Sequence, residues 1–282
     1  MANAAAPLAP GKEAGRRFWD ANPCGGEWAD YRAFADWIAR TEPYAFERID
    51  RHSWTGRRVL EVGCGQGTVL TYLAGKGADV VGVDMSRASL DRARDGARQL
   101  RVVSQVHLAI ADAETLPFPA ESFDAVVSFG VLHHTPDTAR SIEEVRRVLK
   151  PGALAIVMLY RTGNPKWWAT RALRAAASVV DAWSGERGSL ANRLRRGSGA
   201  DGTRGTALLE LFGVPTLQAF SNREARRMFA AFSDSRIENC QPGFRRLSDM
   251  LGVLRPLSST LAWIDRRSDR IWGFYQVIEA RR

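Results

Sequence analysis

Residues 59–70 read V-L-E-V-G-C-G-Q-G-T-V-L, a short apolar run that ends in three alternate glycines, Gly63, Gly65 and Gly67. Val59, Leu60 and Val62 are β-formers in a run too short for a helix, which predicts a buried parallel strand. The glycines let the backbone turn tightly, and without a Cβ a ligand can approach the main chain. A strand, a binding turn and a helix are therefore expected, and this unit commits the chain to an α/β fold.

The spacing narrows the ligand. A dinucleotide fingerprint needs G-x-G-x-x-G, but the third position is Thr68 when counted from Gly63 and Leu70 when counted from Gly65. No G-K-[ST] follows, so a phosphate-cradling loop is not indicated either.

Further strands are predicted at Asp79–Asp84, Gln105–Ile110, Ser122–Phe129, Ala153–Tyr160, Asp234–Gln241 and Trp272–Ala280, with helices over 66–75, 87–100 (capped by Ser86), 137–149 (stopped by K-P-G) and Ser221–Phe232. This rhythm predicts a doubly wound, mostly parallel sheet with helices on both faces, whose ligands lie beyond the carboxyl ends of the strands. Asp84, nineteen residues after Gly65 at the end of the second strand, can accept both ribose hydroxyls of a nucleoside or serve as a helix N-terminal acid beside Ser86.

The E-x-G-x-G-x-G turn resembles motif I of the class I S-adenosylmethionine (SAM) methyltransferases. The likeness runs through A-D-A-E-T-L-P-F-P (111–119), F-D-A-V-V-S-F-G-V-L-H-H-T-P-D (123–137) and R-V-L-K-P-G (147–152), as in the group that includes quinone-pathway and secondary-metabolite enzymes. Ala153 departs from it, where a second glycine often follows K-P-G. The resemblance implies a Rossmann-like, seven-stranded sheet and SAM as cofactor, with S-adenosylhomocysteine as product and no metal. It further implies that Glu61 holds the amino group, that Gly63, Cys64, Gly65 and Gly67 pass beside the methionine part, and that Met85 follows Asp84 at the cofactor. Asp112 and Ala113 are implied to face the adenine, and Phe129 to line the site.

Methyl transfer needs an aligned nucleophile and exclusion of water. Trp19, Trp28 and Tyr31, from an aromatic N-terminal stretch, are candidate acceptor-side residues whose faces can favour a sulfonium, or they simply pack a lid. His133 and His134 follow the fourth strand, where either can take a proton from an acceptor or be part of the loop whatever the substrate. Cys24 reads as an ordinary thiol.

Five regions are expected: a disordered tail (1–15), an N-terminal helical lid (16–55), the SAM-binding core (56–160), a helical cap insertion (161–215) and a C-terminal part of the core sheet with a substrate-side insertion (216–282). In the cap, residues 166–183 place Trp168, Ala172, Ala176, Val179 and Trp183 on one helical face, which predicts a helix laid on something apolar. A flexible loop at 197–203 and a short helix near 208–212 follow.

The 40 Lys and Arg exceed the 31 Asp and Glu, and the excess belongs to residues 161–282. Such a field attracts an acidic small molecule, an anionic membrane surface or nucleic acid, or merely decorates solvated helices. The three cysteines form no C-x-x-C pair, so no disulfide framework or zinc site is indicated, and a cytoplasmic protein is expected. No apolar run is long enough to cross a bilayer.

The resulting reading is a methyltransferase for a small-molecule acceptor, acidic or lipid-like. Its alternatives are an RNA-modifying enzyme that uses the basic C-terminal part and a SAM-binding protein without turnover. The fourth strand ends in S-F-G-V and not the [DN]-P-P-[YF] of amino-group base methyltransferases, so no nucleic acid partner is expected.

Overall fold

The computed structural model describes residues 10–22, 30–184, 214–241 and 258–282. Its strands are β1 (Arg58–Val62), β2 (Asp79–Asp84), β3 (Val106–Ile110), β4 (Phe123–Phe129), β5 (Leu149–Tyr160), β6 (Asp234–Cys240) and β7 (Tyr275–Arg281). They form one seven-stranded sheet in the order β3-β2-β1-β4-β5-β7-β6. β1 to β5 run parallel, while β7 is antiparallel to both β5 and β6. The strand order reverses between β1 and β4, as the doubly wound expectation requires.

The helices are α1 (Pro10–Ala21), α2 (Tyr31–Thr41), α3 (Pro43–Ile49), α4 (Thr68–Gly75), α5 (Arg87–Gln99), α6 (Thr138–Val148), α7 (Pro165–Ser184), α8 (Asn222–Met228) and α9 (Ser258–Trp272). Ser86 caps α5 by accepting from the Ser89 amide, as its hydroxyl predicts. Asp30 and Asp137 cap α2 and α6 in the same way, and Ser221 with Glu224 closes a capping box on α8.

Because successive side chains of a buried strand point to opposite faces, the sheet builds two cores. Val59, Val80 and Ile156 pack with Leu70, Leu73 and Trp54 on one face. Leu60, Val81 and Val157 pack with Val145, Val148 and Phe229 on the other. Leu60, Leu70, Ile156 and Phe229 are among the fully buried side chains, and each contributes about 1.5–3 kcal/mol relative to an exposed position.

Four expectations change. α1 starts at Pro10, a residue suited to the first helical position, so residues 10–15 are helical and not a disordered tail. The K-P-G stretch lies inside β5: Leu149 is already extended beside Phe123, and the register shift there accommodates Pro151, which has no N–H to give the ladder. The helix expected from Ser221 to Phe232 is shorter, Asn222–Met228.

The fourth change concerns α7. The apolar face predicted to lie on something is turned outward, with Trp168 62%, Val179 68% and Trp183 91% exposed. The side around Trp167, Thr170 and Ala177 is buried instead. Lys166 places its ammonium 4.1 Å from the centre of the Phe274 ring, and Arg174 donates to the Val214 carbonyl, so polar groups anchor the inner side. The loop expected at 197–203 and the helix near 208–212 lie outside the described residues.

Candidate functional site

β1 delivers Glu61 and Val62 to the carboxyl edge of the sheet, and the glycine turn follows with Gly63, Gly65 and Gly67 all at positive φ. The Gly63 and Cys64 amides donate to the Val83 carbonyl of β2, at 2.7 and 3.0 Å, which pins the turn to its neighbour. A Cβ at Gly63 would collide with the Val131 side chain, so glycine is required there by space as well as by φ. A cavity of about 280 Å³ opens above this turn.

Glu61 lines the cavity, is 4% exposed, and its Oε2 has no hydrogen-bond partner. Burial first, and then the charge of Asp84, push its carboxyl well above the usual range, against the opposing pull of the Leu70 amide. Gln66, in the turn itself, also lines the cavity with its buried Nε2 unpartnered. A lone acceptor and a lone donor therefore border one space, each at a cost unless a ligand satisfies it.

Asp84 ends β2. Its Oδ2 accepts from the Gly65 amide and its Oδ1 from the Ser86 amide, both at 2.9 Å. Burial raises its pKa even though the backbone amides of Ser86, Gly65 and Met85 work to lower it. Met85, Cys64 and Ala113 line the same end of the cavity. Burial pushes the Cys64 thiol well up, so it is not a thiolate nucleophile.

Asp112, just past β3, accepts from the Glu114 amide through Oδ1. Its Oδ2 lies 2.5 Å from the Lys12 ammonium of α1, which sits equally close to Glu114. Burial works to lower the Lys12 pKa, but the hydrogen bonds and charges of Asp112 and Glu114 leave it raised. α1 is thus fastened across the site, and Gly11, Gly15 and Trp19 join Lys12 on the cavity wall.

The two histidines separate. They lie in a 3-10 turn, Leu132–His134, whose successive side chains diverge. His133 is fully buried, packs on the Tyr160 ring with centroids 3.8 Å apart, and does not line the cavity. His134 does line it, and its Nδ1 is 2.9 Å from the Thr216 carbonyl. A carbonyl only accepts, so the proton sits on Nδ1 and Nε2 carries a lone pair. Burial, aided by the charge of Arg174 and opposed by the Thr216 bond, lowers the His134 pKa to about 4. At neutral pH it is an uncharged base.

Trp19 lies edge-on to His134 at 5.6 Å. Tyr31 does not reach the cavity: its hydroxyl pairs with Thr71, and its ring covers Gly96 of α5. Trp28 and Cys24 lie outside the described residues. Phe129, at the end of β4, lines the cavity and meets Tyr44 at 6.2 Å.

Trp37 and Tyr44 of the aromatic N-terminal stretch stand on the far wall, and Met158, Tyr160 and Tyr275, which were not foreseen, complete it. Tyr160 and Tyr275 are register partners in the antiparallel β5–β7 pair, a juxtaposition no local pattern encodes. Gln66, by contrast, stood in plain view between two motif glycines. Among the described residues, no cluster of His, Cys, Asp and Glu is arranged to hold a metal ion.

With this geometry in place, residues 60–157 match the family described as methyltransferase domain. Over this segment the chain is similar to methyltransferase domains. Methyltransferase GfsG of Streptomyces halstedii is 36% identical over 144 residues, covering 49% of this chain and 51% of that protein. A ubiquinone biosynthesis O-methyltransferase of Acinetobacter baylyi is 33% identical over 128 residues, covering 45% and 54%. The chain spans about half the length of these curated relatives.

The fold extends further than the sequence likeness. Geranyl diphosphate C-methyltransferase from Streptomyces coelicolor A3(2), solved with Mg2+, geranyl diphosphate and S-adenosyl-L-homocysteine, has a TM-score of 0.59 at 16% identity, covering 98% of each chain. The [4+2]-cyclase SpnF has a TM-score of 0.55 at 19% identity over the same shares. One fold thus carries differently named activities, and the site has to be argued from its own residues.

Proposed function

We propose that this chain is a SAM-dependent methyltransferase acting on a small-molecule acceptor. The observation that carries the reading is the pair of unsatisfied groups at the glycine turn, Glu61 Oε2 and Gln66 Nε2. An amino-acid head group complements them, its ammonium matched to the carboxylate and its carboxylate to the amide. Gly63, Cys64, Gly65 and Gly67 offer open backbone for the methionine tail. Asp84, with lone pairs left beyond its two backbone bonds, accepts the ribose hydroxyls next to Met85. Asp112 and Ala113 take the adenine edge, and Phe129 closes the sulfur end.

SAM, when bound, supplies an electrophilic methyl group on a sulfonium. The chain aligns the acceptor and keeps water away: α1, held by Lys12, covers the cofactor end, and the aromatic wall covers the acceptor end. His134, through Nε2, is the group placed to take a proton from the acceptor, with Trp19 bracing its ring. His133, facing the core, supports the loop and the Tyr160 ring and has no part in proton transfer.

Between an acidic and a lipid-like acceptor, the lining favours the apolar one. Lys12 is the one lysine or arginine among the described lining residues, and it stands at the Asp112 end, away from Trp37, Tyr160 and Tyr275. A cytoplasmic location accords with the free thiols of Cys64 and Cys240.

Calorimetry with SAM tests the reading. The wild-type chain is expected to bind it, and Asp84→Ala to weaken binding by about tenfold or more, since hydrogen bonds to a charged group are worth roughly 1.5–3 kcal/mol. No heat from the wild-type protein would end the proposal. Once an acceptor is in hand, His134→Asn should lower kcat by about 10²–10⁴ while leaving SAM affinity unchanged.

A further inference from the structure

We propose that α7 and α9 form a docking surface for an anionic lipid bilayer, beside the acceptor end of the cavity. The inference stands on the surface alone and does not depend on the identity of the cofactor.

The outward face of α7 carries Trp168, Val179, Val180 and Trp183, all exposed. An amphipathic helix normally buries its apolar stripe against the protein, so a helix that presents it to solvent marks an interaction surface. On α9 the exposed side carries Trp263, Ile271 and Trp272, interleaved with Arg267 and Arg270. The Arg267 guanidinium sits over the Trp263 ring at 4.6 Å. The two helices are tied together where α7 begins and α9 ends: Asn164 donates to the Trp272 carbonyl, and Arg161 donates to that of Ile271 at 2.8 Å.

The composition selects the partner. Tryptophan favours the interface between head groups and acyl chains, where its ring is apolar and its N–H is wet. A protein partner would be met as well by Leu and Phe, but four exposed tryptophans with arginines among them fit a lipid surface better. The basic excess of residues 161–282 gives the sign of the head groups, because each Lys or Arg near an anionic surface adds to the attraction. No described helix is long and apolar enough to cross the membrane, so the contact is with its surface.

The location adds a use. α7 follows β5, which ends at Tyr160, and α9 precedes β7, which begins at Tyr275. Both tyrosines line the cavity. A bilayer held by these helices therefore lies next to the aromatic wall, so that an apolar acceptor need cross little water on its way in.

The test is co-sedimentation of the full chain with phosphatidylglycerol vesicles and with phosphatidylcholine vesicles, at low and high salt. Binding should be confined to the anionic vesicles and fall by about tenfold at high salt. A Trp168→Ser/Val179→Ser/Trp183→Ser variant should lose about tenfold or more of vesicle affinity. Its substitutions lie on an exposed face, so circular dichroism and SAM calorimetry should match the wild type and separate a docking defect from misfolding. An Arg267→Glu/Arg270→Glu variant should lose binding to anionic vesicles as well. The proposal is overturned if the wild type ignores phosphatidylglycerol at low salt, if it binds both lipids equally, or if the tryptophan variant binds unchanged. It is also overturned if ultracentrifugation shows a dimer that the tryptophan variant abolishes, which would assign the face to a second copy of the chain.

Discussion

Glu61 pays for its position in the free protein: a 4% exposed carboxyl with one oxygen unpartnered, beside Asp84. Replacing it by Gln removes the charge but keeps the shape. Glu61→Gln should therefore raise the thermal midpoint of the free chain and weaken SAM binding at the same time, readable by differential scanning calorimetry and titration. A variant that loses stability would mean that the carboxylate already has a partner. Asp84 and the glycines were legible because chemistry and spacing fix them locally, within one turn and one strand end, and Glu61 came with the resemblance of that turn to motif I. The choice between His133 and His134 was not legible. Two adjacent identical residues differ only in where a 3-10 turn aims them, and that depends on Tyr160 on one side and Thr216 on the other.

At the scale of elements, α1 is joined to the site through Lys12, Asp112 and Glu114. Lys12→Ala should loosen α1 and speed SAM dissociation by about threefold to tenfold, with little effect on global stability, because a partly exposed ion pair is worth roughly 1 kcal/mol. Stopped-flow release of the cofactor would measure it. The parallel strands and α4 to α6 could be read ahead because buried β-branched runs, caps and turn glycines mark them out. The outward face of α7 could not, since periodicity identifies an apolar stripe without saying which way it faces. Tyr31 illustrates the same limit, its ring settling on Gly96 and not over the cavity.

For the whole molecule, pH acts through opposed groups. His134 falls from the model-peptide value of 6.5 to about 4, and burial lowers His133 as well. Below pH 6.5 the unfolded chain gains protons that these folded histidines refuse, so stability is lost as the pH falls, by roughly 3 kcal/mol for His134 once pH 4 is reached. Glu61 and Asp84 act in the other direction: their raised folded pKa values cost stability at neutral pH, and some of it returns as acid protonates them in the folded state. Urea unfolding across this range should show a shallow net loss in the wild type and a steeper one in Glu61→Gln, where one opposing carboxyl is gone. Equal slopes would contradict the assignment.

β7 follows β6 in the chain yet lies between β5 and β6 in the sheet. During synthesis β6 leaves the ribosome first and has no neighbour to join, because its pairing partner has still to be translated. The sheet therefore closes from β5 outward, and the wall that contains Tyr275 is finished after the glycine turn has formed. A nascent chain arrested before Tyr275 would expose an unpaired strand, which makes this late step the one most open to chaperones or to aggregation.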